Sequence, residues 1–208
     1  MVSELIRRRL LMAEGLPYDA EVEYLGSSGT QYIDVGFKGD MDLDFVLTFR
    51  VDVTDDYYGV LGDRQATNSR RYTVTTAKSS ATTQGGYVTI SSTNDQVTLP
   101  KADYAGGVWK TYKKDGLNVY SGNTLRGTLP RTTFTTPNNI ILFGMRNAGA
   151  LVNMMHGEIS ACQFSKNGVL LRDFIPVRVG QIGYMYDKVS GQLFGNAGSG
   201  SFVLGNDI

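Results

Sequence analysis

Three aspartates, Asp40, Asp42 and Asp44, alternate with apolar residues, and their spacing is the first in the sequence to suggest catalysis. Residues two apart in a strand share one face, so the three carboxylates would lie together. Carboxylates about 5–5.5 Å apart can act as nucleophile and acid in a retaining glycosidase. However, β-sandwich glycosidases usually place the longer glutamate at both positions, and this stretch offers no aromatic or amide group for a sugar. The favoured interpretation is a solvent-facing strand edge that charge keeps soluble.

Metal ligands and nucleophiles are scarce. Calcium on the three aspartates is a lesser alternative, because a flat strand face does not wrap an ion without loop oxygens. The single histidine, His156, excludes a zinc site of the usual His and Cys composition within one chain. The single cysteine, Cys162, excludes an internal disulfide, and its strand-like surroundings favour a buried, inert thiol. A Ser-His-Asp triad stays open by counting, but no nucleophile elbow accompanies His156, which favours a surface histidine at a strand start.

The glycine-rich stretch 195–200 could cradle a phosphate, but it lacks the lysine and the following helix that such loops use. The pattern instead indicates a turn that leads into a last strand containing Phe202 and Leu204.

Two polar loops, 62–72 and 144–155, each follow an apolar strand and each present arginine together with asparagine or aspartate. Planar hydrogen-bonding groups of this kind, beside a stacking aromatic, can recognise sugars. An equally good interpretation is that both are ordinary polar loops. The candidate ligand-binding residues are Asp63, Arg64, Asn68, Arg146 and Asn147.

Most of the chain alternates apolar and polar residues, which is the pattern of the β-strands that must position these candidate residues. Residues 41–53, "MDLDFVLTFRVDV", place apolar side chains on one face and polar ones on the other, with Val46 as the exception. About a dozen such runs, separated by Gly, Asn and Asp turns, predict an all-β sandwich or barrel. The sequence contains no repeat of fixed period, which disfavours a propeller.

Residues 3–14, "SELIRRRLLMAE", carry the one convincing helical pattern, with Ser3 as the N-cap and Gly15 and Pro17 as stop signals. A helix this short is marginal alone in water, so its apolar side needs cover. We interpret residues 1–17 as an attachment or oligomerisation segment ahead of one domain, 18–208; packing on that domain is the alternative. The segment's residues for this role are Leu5, Ile6, Arg7, Arg8, Arg9, Leu10 and Met12.

Overall charge excludes some partners. Twenty basic and twenty acidic residues cancel, so no general field favours nucleic acid, and the only tight basic group is at residues 7–9. No apolar run approaches the about 20 residues that span a bilayer, which predicts no membrane insertion. Those arginines also occupy the place of a signal peptide's apolar centre, so secretion by that route is not expected.

Several segments together resemble a known family: "VEYLGSSGTQYIDVGFK", then "GVLGDR" with "NSRRY", then "WKTYKKDGLNVYSGN", and most specifically the block at 157–202. They resemble concanavalin A-like, laminin-G-like jelly-roll domains of phages and prophages of gut bacteria and of related surface proteins, over roughly residues 21–205. The resemblance implies two antiparallel sheets packed face to face, with the first and last strands in one sheet. No catalytic residue or metal ligand of the family can be matched to a position in this sequence.

The resemblance leads to an expected function as a phage virion fibre or decoration protein. Its jelly roll would bind a host-surface glycan or protein, and its N-terminal helix would dock on other virion proteins or form a dimer or trimer. Such a protein would assemble in the host cytoplasm, lie exposed on the particle, have no cofactor and not be an enzyme. The alternative is a stand-alone bacterial carbohydrate-binding, lectin-like protein; a glycoside hydrolase is the least favoured class.

Overall fold

The computed structural model describes residues 15–52, 57–66, 69–76, 84–92, 95–101 and 106–208, which form nineteen β-strands and no α-helix. The helix predicted at 3–14 lies outside the described residues, as do all seven residues named for attachment. The strands are β1 (Ala20–Glu21), β2 (Leu25–Ser28), β3 (Ile33–Asp40), β4 (Leu43–Val51), β5 (Gly59–Arg64), β6 (Arg71–Thr76), β7 (Gln84–Ser91), β8 (Gln96–Pro100), β9 (Lys110–Asp115), β10 (Asn118–Ser121), β11 (Thr124–Thr128), β12 (Thr135–Leu142), β13 (Met145–Asn147), β14 (Ala150–Val152), β15 (His156–Lys166), β16 (Val169–Val179), β17 (Ile182–Asp187), β18 (Gln192–Phe194) and β19 (Val203–Leu204).

Two sheets contain all of these strands. The larger has the order β11-β10-β9-β4-β15-β16-β17-β18, with β1 paired to β16 and β2 paired to both β15 and β19. The smaller has the order β14-β13-β5-β6-β7-β8, with β12 paired to β3 and β5. Within the described ranges, β5 with β13 is the only parallel pair. The predicted all-β, antiparallel two-sheet sandwich is thereby confirmed.

The core lies between the sheets, and β4 shows why the chain folds this way. Every second residue of this strand is buried, and Phe45, Leu47 and Phe49 are each at most 1% exposed. Burying a side chain of this size stabilises the fold by about 1.5–3 kcal/mol. The same alternation sends Thr48 and Arg50 to the outer face of the larger sheet.

The two ends of the domain meet in the larger sheet, because β19 pairs with β2 through Leu204 opposite Leu25. The glycine-rich stretch before β19 is a packed turn. The Asn196 side chain accepts hydrogen bonds from the N–H groups of Tyr32 (3.1 Å) and Gly198 (2.8 Å). A Cβ on Gly198 would lie 2.0 Å from the carbonyl oxygen of Thr30, so only glycine fits there.

Among the described residues, no helix is long and apolar enough to cross a membrane.

Candidate functional site

The three aspartates that first suggested catalysis are each bound to a basic side chain. Arg131 Nη2 lies 2.9 Å from Asp42 Oδ1, and Lys114 Nζ lies 2.8 Å from Asp44 Oδ1. Over the ranges that the structure describes, no group of three or more His, Cys, Asp or Glu side chains could hold a metal ion. This geometry supports neither a catalytic acid pair nor a calcium site. The pairs are Asp40–Lys166, Asp42–Arg131 and Asp44–Lys114.

The lone histidine and the lone cysteine lie at opposite extremes of exposure. His156 is exposed at the start of β15, and its ring centroid lies 5.6 Å from that of Tyr58. Cys162 is fully buried, and burial, with a smaller effect of Asp173, raises the pKa of its thiol well above the usual value. A thiol held neutral in the core is a packing group, which agrees with the inert thiol expected from the sequence.

The residues predicted for ligand binding come from two loops that the fold brings together. Strands β5 and β13 run parallel, with Arg146 opposite Asp63 and Asn147 opposite Arg64. Asn68 lies outside the described residues.

Two of these residues are engaged in holding the fold. Asp63 is fully buried and accepts hydrogen bonds from the backbone (2.8 Å) and side-chain (3.2 Å) nitrogens of Asn138. Burial raises the pKa of Asp63, although the Asn138 hydrogen bonds act in the opposite direction. Arg146 donates through both Nη atoms to Asp34 (3.1 Å each) and through Nη1 to the carbonyl oxygen of Asn139 (3.0 Å).

The other two keep unused hydrogen-bonding atoms. Arg64 Nε and Asn147 Oδ1 are buried and have no hydrogen-bond partner among the described residues. A donor and an acceptor on facing residues could both be satisfied by a water or a small polar ligand. The assignment of these loops to ligand binding stays a prediction.

A second candidate site lies on the outer face of the larger sheet. It is a cleft of about 460 Å³, which we call the aromatic cleft. Its size falls within the range of small-molecule sites, about 300–1,000 Å³. The lining includes Glu23, Tyr24, Thr48, Arg50, Trp109 and Ser160.

Strand register brings these residues together from separate parts of the chain. Arg50 lies directly opposite Glu158 in the β4–β15 pair. Trp109 immediately precedes Lys110, which pairs with Phe49, so Trp109 lies beside Arg50. Tyr24 immediately precedes β2 and reaches the same face from the other side of β15.

Two aromatic rings and one guanidinium group form the floor of the aromatic cleft. The Tyr24 and Trp109 ring centroids are 6.1 Å apart with an interplanar angle of 48°. The Arg50 Cζ atom lies 5.3 Å from the Tyr24 centroid and 4.9 Å from the Trp109 centroid, within cation–π range. Trp109 is nevertheless 37% exposed, so part of its ring system is open to a ligand.

Polar groups beside the rings remain available. Arg50 donates through Nε to Glu158, but the described residues provide no hydrogen-bond acceptor for its Nη atoms. Ser160 is the extra residue of a β-bulge, between Ile159 opposite Phe49 and Ala161 opposite Thr48. Its hydroxyl likewise has no hydrogen-bond partner in the described part of the chain. Bulges of this kind re-aim side chains near functional sites.

The aromatic cleft was not predicted, because its residues, Ile208 among them, come from five segments that no local spacing joins. The available signals were the chain's single tryptophan just before a strand and the outward position of Arg50 in β4.

The fold is similar to that of several solved proteins, two of which are named for carbohydrate binding. The CBM40 of Ruminococcus gnavus IT-sialidase, bound to alpha2,3 sialyllactose, is 15% identical, with a TM-score of 0.51 over 68% of this chain and 89% of that chain. A Bacteroides ovatus ATCC 8483 protein assigned as carbohydrate binding is 11% identical, with a TM-score of 0.55 over 90% of this chain and 60% of that chain. A heptameric SAP-like pentraxin from Limulus polyphemus is 12% identical, with a TM-score of 0.53 over 90% of this chain and 95% of that chain.

No family model matches the sequence, and no curated protein matches it. At identities of 11–15% the structural likeness shows the fold, a two-sheet sandwich of the jelly-roll kind. It does not show a phage origin.

Proposed function

We propose that this protein binds carbohydrate as a non-catalytic, lectin-like protein, and that the aromatic cleft is its binding site. The observation that carries the proposal is the partly exposed Trp109 beside Tyr24, next to hydrogen-bond donors of Arg50 and Ser160 for which the described residues provide no acceptor. A sugar ring has apolar C–H faces and an equatorial rim of hydroxyls, so it needs both kinds of group. Aromatic surface with a few placed polar groups is also the general composition of small-ligand sites.

The similar structures support this class of function, since two of them are named for carbohydrate binding. Their similarity favours the lectin-like interpretation over the virion role expected from the sequence. Nothing in the described residues favours virion assembly or localisation on a particle, which stay predictions. The ion-paired aspartates add no support for a hydrolase.

A glycan array on the whole protein tests the proposal, with Trp109→Ala as the decisive variant. We expect binding to at least one glycan class, and a loss of about tenfold or more in affinity on removing the indole, as for aromatic residues at the centre of a binding surface. Because Trp109 is the only tryptophan, its fluorescence should also change as the glycan is titrated.

Tyr120→Ala is the matched control. Tyr120 is a half-buried aromatic residue in the same sheet, and its ring centroid lies 5.5 Å from Lys113 Nζ. It does not line the aromatic cleft. Its variant should retain binding. Absence of any glycan signal would refute the proposed function. Binding that survives Trp109→Ala but is lost on changing Arg64 and Asn147 to alanine would move the site to the predicted loops.

A further inference from the structure

We infer that the aromatic cleft selects uncharged glycans, and that Glu158 is the residue that excludes sugars carrying a carboxylate. The inference rests on the proposed function and assigns a specificity to the same site. It follows from the charges that surround the two rings.

Arg50, the one guanidinium group in the described lining of the aromatic cleft, is already neutralised. Arg50 and Glu158 face each other across β4 and β15 and form an ion pair through Arg50 Nε, with side chains 29% and 13% exposed. Partial burial limits screening by solvent, so the two charges largely cancel within the site. A ligand carboxylate that approached Arg50 would have to come close to the carboxylate of Glu158.

The other charged side chain in the described lining, Glu23, is negative. Glu23 accepts hydrogen bonds from the backbone nitrogen (3.2 Å) and the side-chain nitrogen (3.0 Å) of Asn206, which are neutral donors. Among the described residues, the lining therefore carries one carboxylate, Glu23, and one guanidinium group, Arg50. Glu158 does not line the cleft itself but places a second carboxylate against that guanidinium group. Like charges brought together without water between them disfavour binding and act as a specificity filter.

A cation elsewhere on this face does not compensate. Lys113 lies opposite Val46, four residues along β4 from Arg50, which is about 13 Å of strand. Its amino group is paired at 2.7 Å with Asp115. Uncharged hydroxyls, in contrast, can accept hydrogen bonds from the Arg50 Nη atoms without meeting this repulsion.

The test is an array of matched glycans, in which each pair shares one oligosaccharide and differs by a terminal sialic or uronic acid; lactose and sialyllactose are one such pair. We expect the wild-type protein to prefer the uncharged member by about tenfold or more. Glu158→Gln keeps the shape and removes the charge, so it should shift this ratio toward the acidic member by about tenfold.

Two control variants separate a local from a general charge effect. Glu158→Asp retains the charge and should retain the preference. Asp115→Asn removes an exposed carboxylate from the same sheet outside the aromatic cleft and should leave the ratio unchanged. If Glu158→Gln does not fold, the wild-type ratio still tests the preference for uncharged glycans.

The outcomes distinguish the two proposals. A wild-type preference for acidic glycans, or an unchanged ratio in folded Glu158→Gln, would overturn the inference and leave carbohydrate binding intact. Wild-type protein that binds neither member of any pair would overturn the proposed function itself.

Discussion

Two adjacent lysines show how position in a strand decides what a residue does. Lys113 and Lys114 are neighbours in β9 and therefore point to opposite faces of the larger sheet. Lys113 forms an exposed pair with Asp115. The Lys114 side chain is fully buried, and its Nζ donates to the carbonyl oxygens of Met41 and Leu43 at 2.9 Å each, as well as to Asp44. We therefore expect very different contributions to stability.

Replacing Lys114 by alanine should lower the free energy of unfolding by about 3–5 kcal/mol, because Met41, Leu43 and Asp44 each lose a hydrogen bond from a charged donor. Lys113→Ala, one residue away, should change it by less than about 1 kcal/mol, as for other exposed pairs. Urea unfolding of both variants measures the difference. Equal midpoints would show that the buried amino group does not hold the β3–β4 corner.

At the scale of elements, the β17–β18 hairpin is anchored by one carboxylate. Asp187 is fully buried at the end of β17 and accepts hydrogen bonds from the backbone nitrogens of Asp173 (2.8 Å) and Val189 (3.2 Å). It also accepts 2.6 Å and 3.2 Å bonds from the hydroxyl and backbone nitrogen of Ser190. The group thus ties the turn after β17 to β16, the next strand of the sheet.

This anchor should make stability depend on pH. Burial by itself raises the pKa of Asp187, but the hydrogen bonds from Ser190, Asp173 and Val189, together with the charge of Arg172 at 3.5 Å, outweigh it and place the pKa below the usual aspartate value. A carboxyl with a lowered pKa in the folded state stabilises the protein above its unfolded pKa, about 3.9, and that stability is lost as the pH falls through the folded value.

Asp187→Asn should therefore be less stable than the wild type at pH 7, and the difference should shrink as the pH falls below about 4. Urea midpoints at a series of pH values measure both effects. Asp115→Asn, in an exposed pair, is the control for removing a carboxylate. Parallel pH profiles for Asp187→Asn and the wild type would contradict the role of this group.

At the scale of the whole molecule, the two sheets carry different candidate surfaces. The aromatic cleft lies on the outer face of the larger sheet, whereas the predicted loop residues lie where β5 and β13 of the smaller sheet end. Residues 15–17, the described part of the N-terminal segment, do not line the aromatic cleft, and we expect attachment through residues 1–17 and glycan binding to be separable properties.

The predicted oligomer can be tested on that basis. Light scattering of the full chain should give a dimer or trimer, and a chain that begins at Tyr18 should give a monomer, because the apolar side of a short helix needs cover. The shortened chain should retain glycan binding. Monomer masses for both proteins would refute the oligomerisation role of the segment.

Much of the sandwich was predictable from the sequence, because alternation is a local signal. The long run in β4 was found with its inward residues and with Val46 on the outer side. Strands of three residues, such as β13, β14 and β18, are too short to show a period, so about a dozen strands were expected where the described residues contain nineteen. The sequence did not show that the loops holding Arg64 and Asn147 meet, because the parallel pairing of β5 with β13 is what brings them together.

The sequence by itself determined an all-β domain, sandwich or barrel, and the side of β4 on which Arg50 and Thr48 lie, since these follow from period two along a strand. The two-sheet sandwich was implied by the resemblance to jelly-roll domains and is seen in the tertiary structure. The tertiary structure alone decided which outward residues meet. Strand order places β9 and β15 on either side of β4, and their register sets Trp109 and Glu158 beside Arg50. Such contacts depend on pairing between segments far apart in the chain, which no local pattern of residues encodes.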